Sequence, residues 1–197
     1  LAHRLLVPQR TLLVLTTGLS GSGKSTLALM LAEQLGAVRL RSDVERKRLF
    51  GLAPTARPEA ALGLYTPDAT QSTYARLGTL AQTLLRGGLS VVVDAACLRQ
   101  HERETLRALA QACGAAFALV TCDAPTPLLQ ARITARQAAN HDASDATLAV
   151  LHMQQTVVEP LPADWADLCH HVANHGDLDT LATQAHALAR QLAPHTP

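Results

Sequence analysis

The run Gly18-Leu19-Ser20-Gly21-Ser22-Gly23-Lys24-Ser25 fits the pattern G-x-x-x-x-G-K-[ST] and lies between an apolar segment, 12–15, and a helix-like segment, 26–35. A chain built around this pattern needs a strand to aim the loop and a helix to leave it. The glycines let successive backbone N–H groups converge on an anion, and the helix presents its positive N-terminus to the same point. The expected ligand is a nucleoside triphosphate, held by the turn through Gly18, Ser20, Gly21, Ser22 and Gly23. Lys24 is expected to reach the β/γ-phosphate oxygens, Ser25 to hold Mg²⁺, and Thr26 to line the α-phosphate.

The rest of the chain repeats the same alternation. Apolar strand-like runs recur at 12–17, 38–40, 90–94, 117–122 and 168–173. Helical patterns separate them at 24–35, 43–50, 68–86, 100–113, 125–138, 145–158 and 177–192. This alternation predicts an α/β fold with a parallel sheet covered on both faces. With 197 residues, 48% of them hydrophobic, the chain is long enough for a single domain over 1–197 with small insertions. One such insertion is 51–67, where Pro54, Pro58, Gly63 and Pro67 break any regular pattern and an acceptor can be covered. The stretch 125–158 reads as a helical lid, with Pro125 suiting a first helical turn, a hinge at 139–143, and Ser144 or Asp145 capping the second lid helix.

Composition removes several classes. The formal net charge is +1 and aromatics make up 3%, so neither a global field nor a base-stacking platform draws the chain to nucleic acid. No segment approaches the ~18 apolar residues needed to cross a bilayer, and no membrane partner is expected. Cys97, Cys113, Cys122 and Cys169 lack metal-ligand or disulfide-framework spacing. Reduced thiols in the cytoplasm are the simplest reading. The nine histidines show no ligand spacing either, and His170 and His171 would point to opposite faces of one strand. The chain begins at Leu1 without a methionine, which reads as a piece of a longer polypeptide.

Other residues select among the chemistries open to such a loop. There is no Asn-Lys-x-Asp sequence for guanine. The run Ser90-Val91-Val92-Val93-Asp94 delivers a carboxylate to the Mg²⁺ shell beside Ser25, and Ala95 follows where a hydrolytic motor carries a glutamate. In the basic segment 39–48, Asp43 is placed to accept the proton of an acceptor hydroxyl. Arg46, three residues on, would hold Asp43 ionised or bind the acceptor. The competing reading makes Asp43 a helix cap, and Lys47 and Arg48 are expected on the surface. Arg132 and Arg136 lie four apart on a lid helix and are expected to close over the transferring phosphate, with an exposed basic stripe as the alternative.

With these segments in place, the chain resembles the P-loop kinase-like domains that form the ATP-binding half of bifunctional aminoglycoside phosphotransferase/ATP-binding proteins. The resemblance covers about residues 11–190 through GLSGSGKST at 18–26, LRSDVERKRLFGL at 40–52, LYT at 64–66, TYARL at 73–77, VVVDAACL at 91–98 and DASDATLAVLHMQ at 142–154. It implies a three-layer, mononucleotide-kinase-like P-loop NTPase fold with strand order 2-3-1-4-5. It also implies ATP and Mg²⁺ as cofactors and a fused N-terminal phosphotransferase-like domain. More distantly, Asp43-x-x-Arg46 is similar to polynucleotide 5′-kinases and gluconate-type kinases, whose matching aspartate contacts the acceptor hydroxyl. Ala96-Cys97 departs from the more usual Thr-Phe of the family. The expected activity is transfer of the γ-phosphate to a small-molecule hydroxyl. The alternatives are a polynucleotide 5′-hydroxyl kinase, with nucleic acid the less favoured partner, and an ATP-binding regulatory module with little turnover. The adenine is expected near 122–125 and 174–177, at the carboxyl ends of the strands.

Overall fold

A computed structural model describes residues 10–54, 56, 64–139 and 146–193. Its strands are β1 (Leu12–Thr17), β2 (Val38–Arg41), β3 (Val91–Asp94), β4 (Ala116–Asp123) and β5 (Cys169–Ala173). They form one five-stranded sheet in the order β2-β3-β1-β4-β5, and every pairing is parallel. The helices are α1 (Lys24–Leu35), α2 (Ser42–Leu49), α3 (Pro67–Arg86), α4 (Gln100–Ala112), α5 (Thr126–Ala139), α6 (Leu148–Val157) and α7 (Leu178–Leu192), with a 3₁₀ helix at Ala163–Leu168. The result is the three-layer α/β mononucleotide-kinase arrangement.

The centre of the sheet follows from the sequence LLVLTT. All six residues of β1 are buried, as a strand covered on both faces requires. Leu12 and Val14 pack with Leu27, Leu31 and Leu188 on the face of α1 and α7. Leu13 and Leu15 pack with Leu77, Leu85 and Leu106 on the face of α3 and α4. Each such leucine contributes about 1.5–3 kcal/mol by leaving water. Because β1 pairs with β3 on one side and β4 on the other, the chain reverses its direction of winding above β1, and the loop 18–23 sits in that crevice.

Helix ends match their chemistry with two adjustments. Thr66 caps α3, accepting from the Ala69 N–H with Pro67 in the first turn, and the Asp177 side chain accepts from Thr180 to start α7. Helix α6, expected as the second helix of a lid, begins at Leu148 and is capped by Thr147, whose hydroxyl accepts from the Val150 N–H. The expected caps, Ser144 and Asp145, lie outside the described residues. So do most of the hinge 139–143 and residues 57–63 of the insertion. Helix α2 starts at Ser42, leaving Asp43 inside the first turn rather than at the cap.

One expectation is overturned in α2. Lys47 is 1% exposed, not a surface residue, and its neighbours Glu45 and Arg46 are buried with it. Arg48 alone keeps a half-exposed side chain. The cause lies in α3. Arg76 reaches Glu45 at 2.6 Å, and Arg48 pairs with the other carboxylate oxygen, so the buried Glu45 keeps its charge compensated where α2 packs on α3.

Gly18 makes the sharpest test of this architecture. Its φ is +149°, and a Cβ there would lie 2.2 Å from the Cys122 carbonyl oxygen. Gly18→Ala is therefore expected to lose at least about 1–3 kcal/mol from the backbone conformation alone, read as a lower midpoint in urea unfolding followed by circular dichroism.

Candidate active site

The loop between β1 and α1 is held from its root. The Thr16 hydroxyl donates to the carbonyls of Val93 and Ala95 at 3.2 Å, and the Thr17 hydroxyl to those of Ala96 and Cys97 at 2.9 and 3.0 Å. The Gly18 N–H donates to the Ala96 carbonyl at 3.1 Å. Cys97 takes a left-handed φ of 47°, and its N–H donates to the buried Tyr74 hydroxyl at 3.0 Å. The pair at 96–97 thus supports the loop from below, while Ala96 also faces the cavity described next.

Past this root the loop opens as an anion cradle. Among the described residues, no backbone hydrogen bond engages the N–H groups of Gly21, Gly23, Lys24 or Ser25. Gly23 has φ +93° and lies so close to Asn174 that a Cβ would come within 2.1 Å of Nδ2, which leaves room for glycine only. Asn174 Nδ2 donates to the Ser22 carbonyl at 2.8 Å, binding the loop to the end of β5. The Lys24 Nζ donates to the Leu19 carbonyl at 3.4 Å, and the Ser20 N–H donates to the Gln154 side-chain oxygen at 2.8 Å.

Ser25 and Asp94 meet as the sequence predicts. Ser25 Oγ donates to Asp94 Oδ1 at 2.9 Å. The other oxygen, Oδ2, receives Nη2 and Nε of Arg39 at 2.7 and 3.2 Å, with Arg41 Nε at 3.5 Å. Asp94 is 3% exposed, and a buried carboxylate needs such partners. A hydroxyl and a carboxylate oxygen side by side at the start of a helix are the hard oxygen donors that Mg²⁺ takes.

The arginines of α5 part company. Arg132 Nη1 and Nη2 donate to the carbonyls of Gly21, Asn174 and Gly176 and to Asn174 Oδ1, over 3.2 to 3.5 Å. It joins the phosphate loop to the β5–α7 turn, where the base is expected. Arg136 Nη2 instead donates to the Ala146 carbonyl at 3.3 Å, ahead of α6. Arg46 is 8% exposed, donates to the Leu64 carbonyl at 2.8 Å and the Thr70 hydroxyl at 3.3 Å, and lies 5.0 Å from the centre of the Tyr65 ring.

A continuous cavity of about 910 Å³ is lined by Lys24, Ser25, Asp43, Arg46 and Asp94. Helix α6 also lines it, through Val150, Met153, Gln154 and Val157. Thr26 is absent from this lining, as are Arg132 and Arg136. Among the described residues, no group of three histidine, cysteine or carboxylate side chains forms a metal cluster. His171 pairs instead with Asp123 at the surface, at 3.1 Å. No described helix is long and apolar enough to cross a membrane.

Four contributors escaped the sequence reading. Arg39 and Asn174 act across the fold, from 55 and 152 residues away, and only the strand register Arg41↔Asp94 would have put Arg39 near Asp94. Gln154 lay within a recognised segment but carried no motif. Arg103 is a buried cation in α4 that donates to the carbonyls of Cys97, Leu98, Glu159 and Pro160.

The fold and site together define a P-loop nucleotide-binding domain. Residues 13–161 match the family described as the AAA domain, and the chain belongs to that family. An uncharacterized protein of Mycobacterium tuberculosis (strain ATCC 25618 / H37Rv) is 31% identical over 180 residues, which is 90% of this chain and 34% of that protein. The chain therefore spans about a third of the length of the curated relatives it matches. Three solved structures share the fold. The APS kinase CysC of Mycobacterium tuberculosis, in complex with AMPPNP and APS, has a TM-score of 0.66 at 23% identity, covering 94% of this chain and 99% of that one. A gluconokinase from Sinorhizobium meliloti 1021 has 0.64 at 21%, covering 94% of each. Chaetomium thermophilum Kti12, in complex with ADP-AlF3, has 0.67 at 15%, covering 92% and 99%. These matches concern the nucleotide-binding domain; they give no support to a fused aminoglycoside phosphotransferase half.

Two outcomes follow from the site's geometry. Gln154→Leu removes an internal competitor for the Ser20 amide while keeping a side chain of similar size. ATP is expected to bind several-fold tighter by calorimetry with Mg²⁺ present, and unchanged or weaker binding would show that the contact does not oppose the nucleotide. The second concerns thiols. Burial pushes the Cys97 thiol well up and the Cys122 thiol up to about 11, so neither supplies much of the reactive thiolate at pH 8. Iodoacetamide at that pH is expected to label the half-buried Cys113 and Cys169 first, and Cys97 and Cys122 only after urea, as read by peptide mass spectrometry.

Proposed function

We propose that this chain is a cytoplasmic, ATP- and Mg²⁺-dependent kinase that transfers the γ-phosphate to a hydroxyl of a small-molecule acceptor. The observation that supports this reading is a single cavity lined by Lys24, Ser25, Asp94 and Asp43, with Ser25 and Asp94 in hydrogen-bond contact. Phosphate, metal and proton chemistry all need groups at that spot.

In this reading the loop amides and Lys24 hold the β- and γ-phosphates, and Ser25 and Asp94 hold Mg²⁺, which when bound neutralises the phosphate oxygens. The acceptor oxygen attacks the γ-phosphorus and its proton passes to Asp43. The bond from that phosphorus to the β–γ bridging oxygen breaks, and ADP departs with the electron pair. Arg46 orients the acceptor. It is held by Leu64 and Thr70, so its guanidinium is fixed before substrate enters. Arg132 joins the phosphate loop to the base-side turn, and Arg136 acts when the lid closes. The absence of a carboxylate at Ala95, which is fully buried, weighs against water as the acceptor.

The polynucleotide reading loses support because its basic run is engaged internally. Arg39 and Arg41 face Asp94, Arg48 pairs with Glu45, and Lys47 is buried.

Asp43→Asn keeps side-chain size and removes basicity. ATP affinity is expected to stay near the parent value while transfer to a cognate acceptor falls roughly 10²–10⁴-fold. Lys24→Ala, as the companion, is expected to lose both. The check is calorimetry with ATP and Mg²⁺ alongside radiolabelled γ-phosphate transfer. Undiminished transfer in Asp43→Asn would reduce that residue to a helix-end carboxylate. Tight ATP binding without transfer to any acceptor would instead favour a regulatory module.

A further inference from the structure

The cavity is much longer than phosphate transfer needs. From the loop it continues as a groove between α3 and α4, lined on α3 from Gln71 to Gln82, an axial span of about 16 Å at the rise of an α-helix.

Its charge is distributed unevenly. The ionisable lining residues with charge to offer, Lys24, Asp43, Arg46, Asp94, Arg99 and Glu102, stand at the start of α1, on the two turns of α2, at the end of β3 and at the start of α4; His101 lies beside them. Farther along, the described lining residues Ala75, Gly78, Thr79, Gln82, Thr105 and Leu109 are all uncharged. The roof above the reacting end is apolar as well: Met153 is 47% exposed and faces the cavity together with Val150 and Val157. A charged body in such a groove would lose hydration without gaining a partner.

Gly78 adds an independent observation. It lies in the middle of α3, where glycine costs about 0.5–1 kcal/mol relative to alanine. A Cβ there would meet Leu109 at 3.5 Å, an ordinary contact, so helix packing does not demand glycine. The missing side chain widens the groove instead.

We propose that the acceptor is a neutral, elongated alcohol with a largely apolar body, whose reacting hydroxyl lies at Asp43 and whose tail occupies the α3–α4 groove. This rests on the kinase reading above and adds a class of substrate to it. A short polyol leaves the groove empty, an acidic sugar gains nothing from its uncharged stretch, and a nucleic-acid strand would carry phosphates past the cationic end into a stretch whose described lining residues hold no cation.

The test uses n-octyl β-D-glucopyranoside below its micelle concentration, methyl β-D-glucopyranoside, gluconate and a 5′-hydroxyl oligonucleotide. Each is titrated calorimetrically into the chain with ADP and Mg²⁺ present, and each is assayed for radiolabelled phosphate transfer. The octyl glycoside is expected to bind about tenfold tighter than the methyl glycoside or more, the gain expected from burying even two methylenes. Ala75→Phe and Thr105→Phe, at two exposed positions of the groove walls, should each abolish that gain and leave ATP affinity unchanged; thermal melts confirm that both variants fold. The proposal is overturned if the methyl glycoside, gluconate or the oligonucleotide binds as tightly as the octyl glycoside, or if the gain survives both phenylalanines. Label passing to gluconate without a chain-length gain would sink the substrate class and leave the kinase standing. The binding pattern without any transfer would do the reverse.

Discussion

Everything at this site hangs on the attachment of one strand end to its neighbour's exit. Two threonine hydroxyls at the end of β1 each share one proton between two carbonyls, Thr16 between Val93 of β3 and Ala95, Thr17 between Ala96 and Cys97, and the Gly18 N–H adds a bond to Ala96. Where they are buried, at Val93, Ala95 and Cys97, a carbonyl left without a donor would cost about 1–3 kcal/mol. Their positional effect matters more than their sum. They set the phosphate loop at a fixed height relative to Asp94, and the 2.9 Å approach of Ser25 depends on that height.

The architecture was readable because it depends on local periodicity. Six consecutive residues of β1 had to be buried, and their run of leucine and valine says so without knowledge of any partner. Asp94 and Ser25 were legible for a related reason: a glycine-rich turn and a strand-end carboxylate are placed by the backbones on either side of them. Lys47 was not legible. It lies on the part of α2 that packs on α3, where Arg76, 31 residues along the chain from Glu45, takes up the charge of that neighbour. Linear spacing carries no record of that pairing. Arg39 was hidden in the same way, since a basic residue on a strand looks like a surface charge until the adjacent strand supplies its carboxylate.

The shared fold also has limits as an argument. An APS kinase, a gluconokinase and Kti12 have similar backbones and different names, so the sheet and loop speak to the nucleotide and not to its destination. On the α3–α4 side of this chain an ionisable rim near the strand ends gives way to neutral, partly apolar walls.

Arg103 decides how α6 is mounted. Its guanidinium ties the carbonyls of Cys97 and Leu98 to those of Glu159 and Pro160, and the Glu159 N–H returns a bond to Leu98 at 2.9 Å. The trailing end of α6 is thus bolted to the root of α4. Its leading half is held by α5, through Arg136 donating to the Ala146 carbonyl and Leu151 buried against Leu129 and Ile133. With ten residues and a rise of 1.5 Å each, α6 is about 15 Å long, a beam supported toward both ends. Gln154 stands on that beam, so its reach to the Ser20 N–H is set from two separate anchor points.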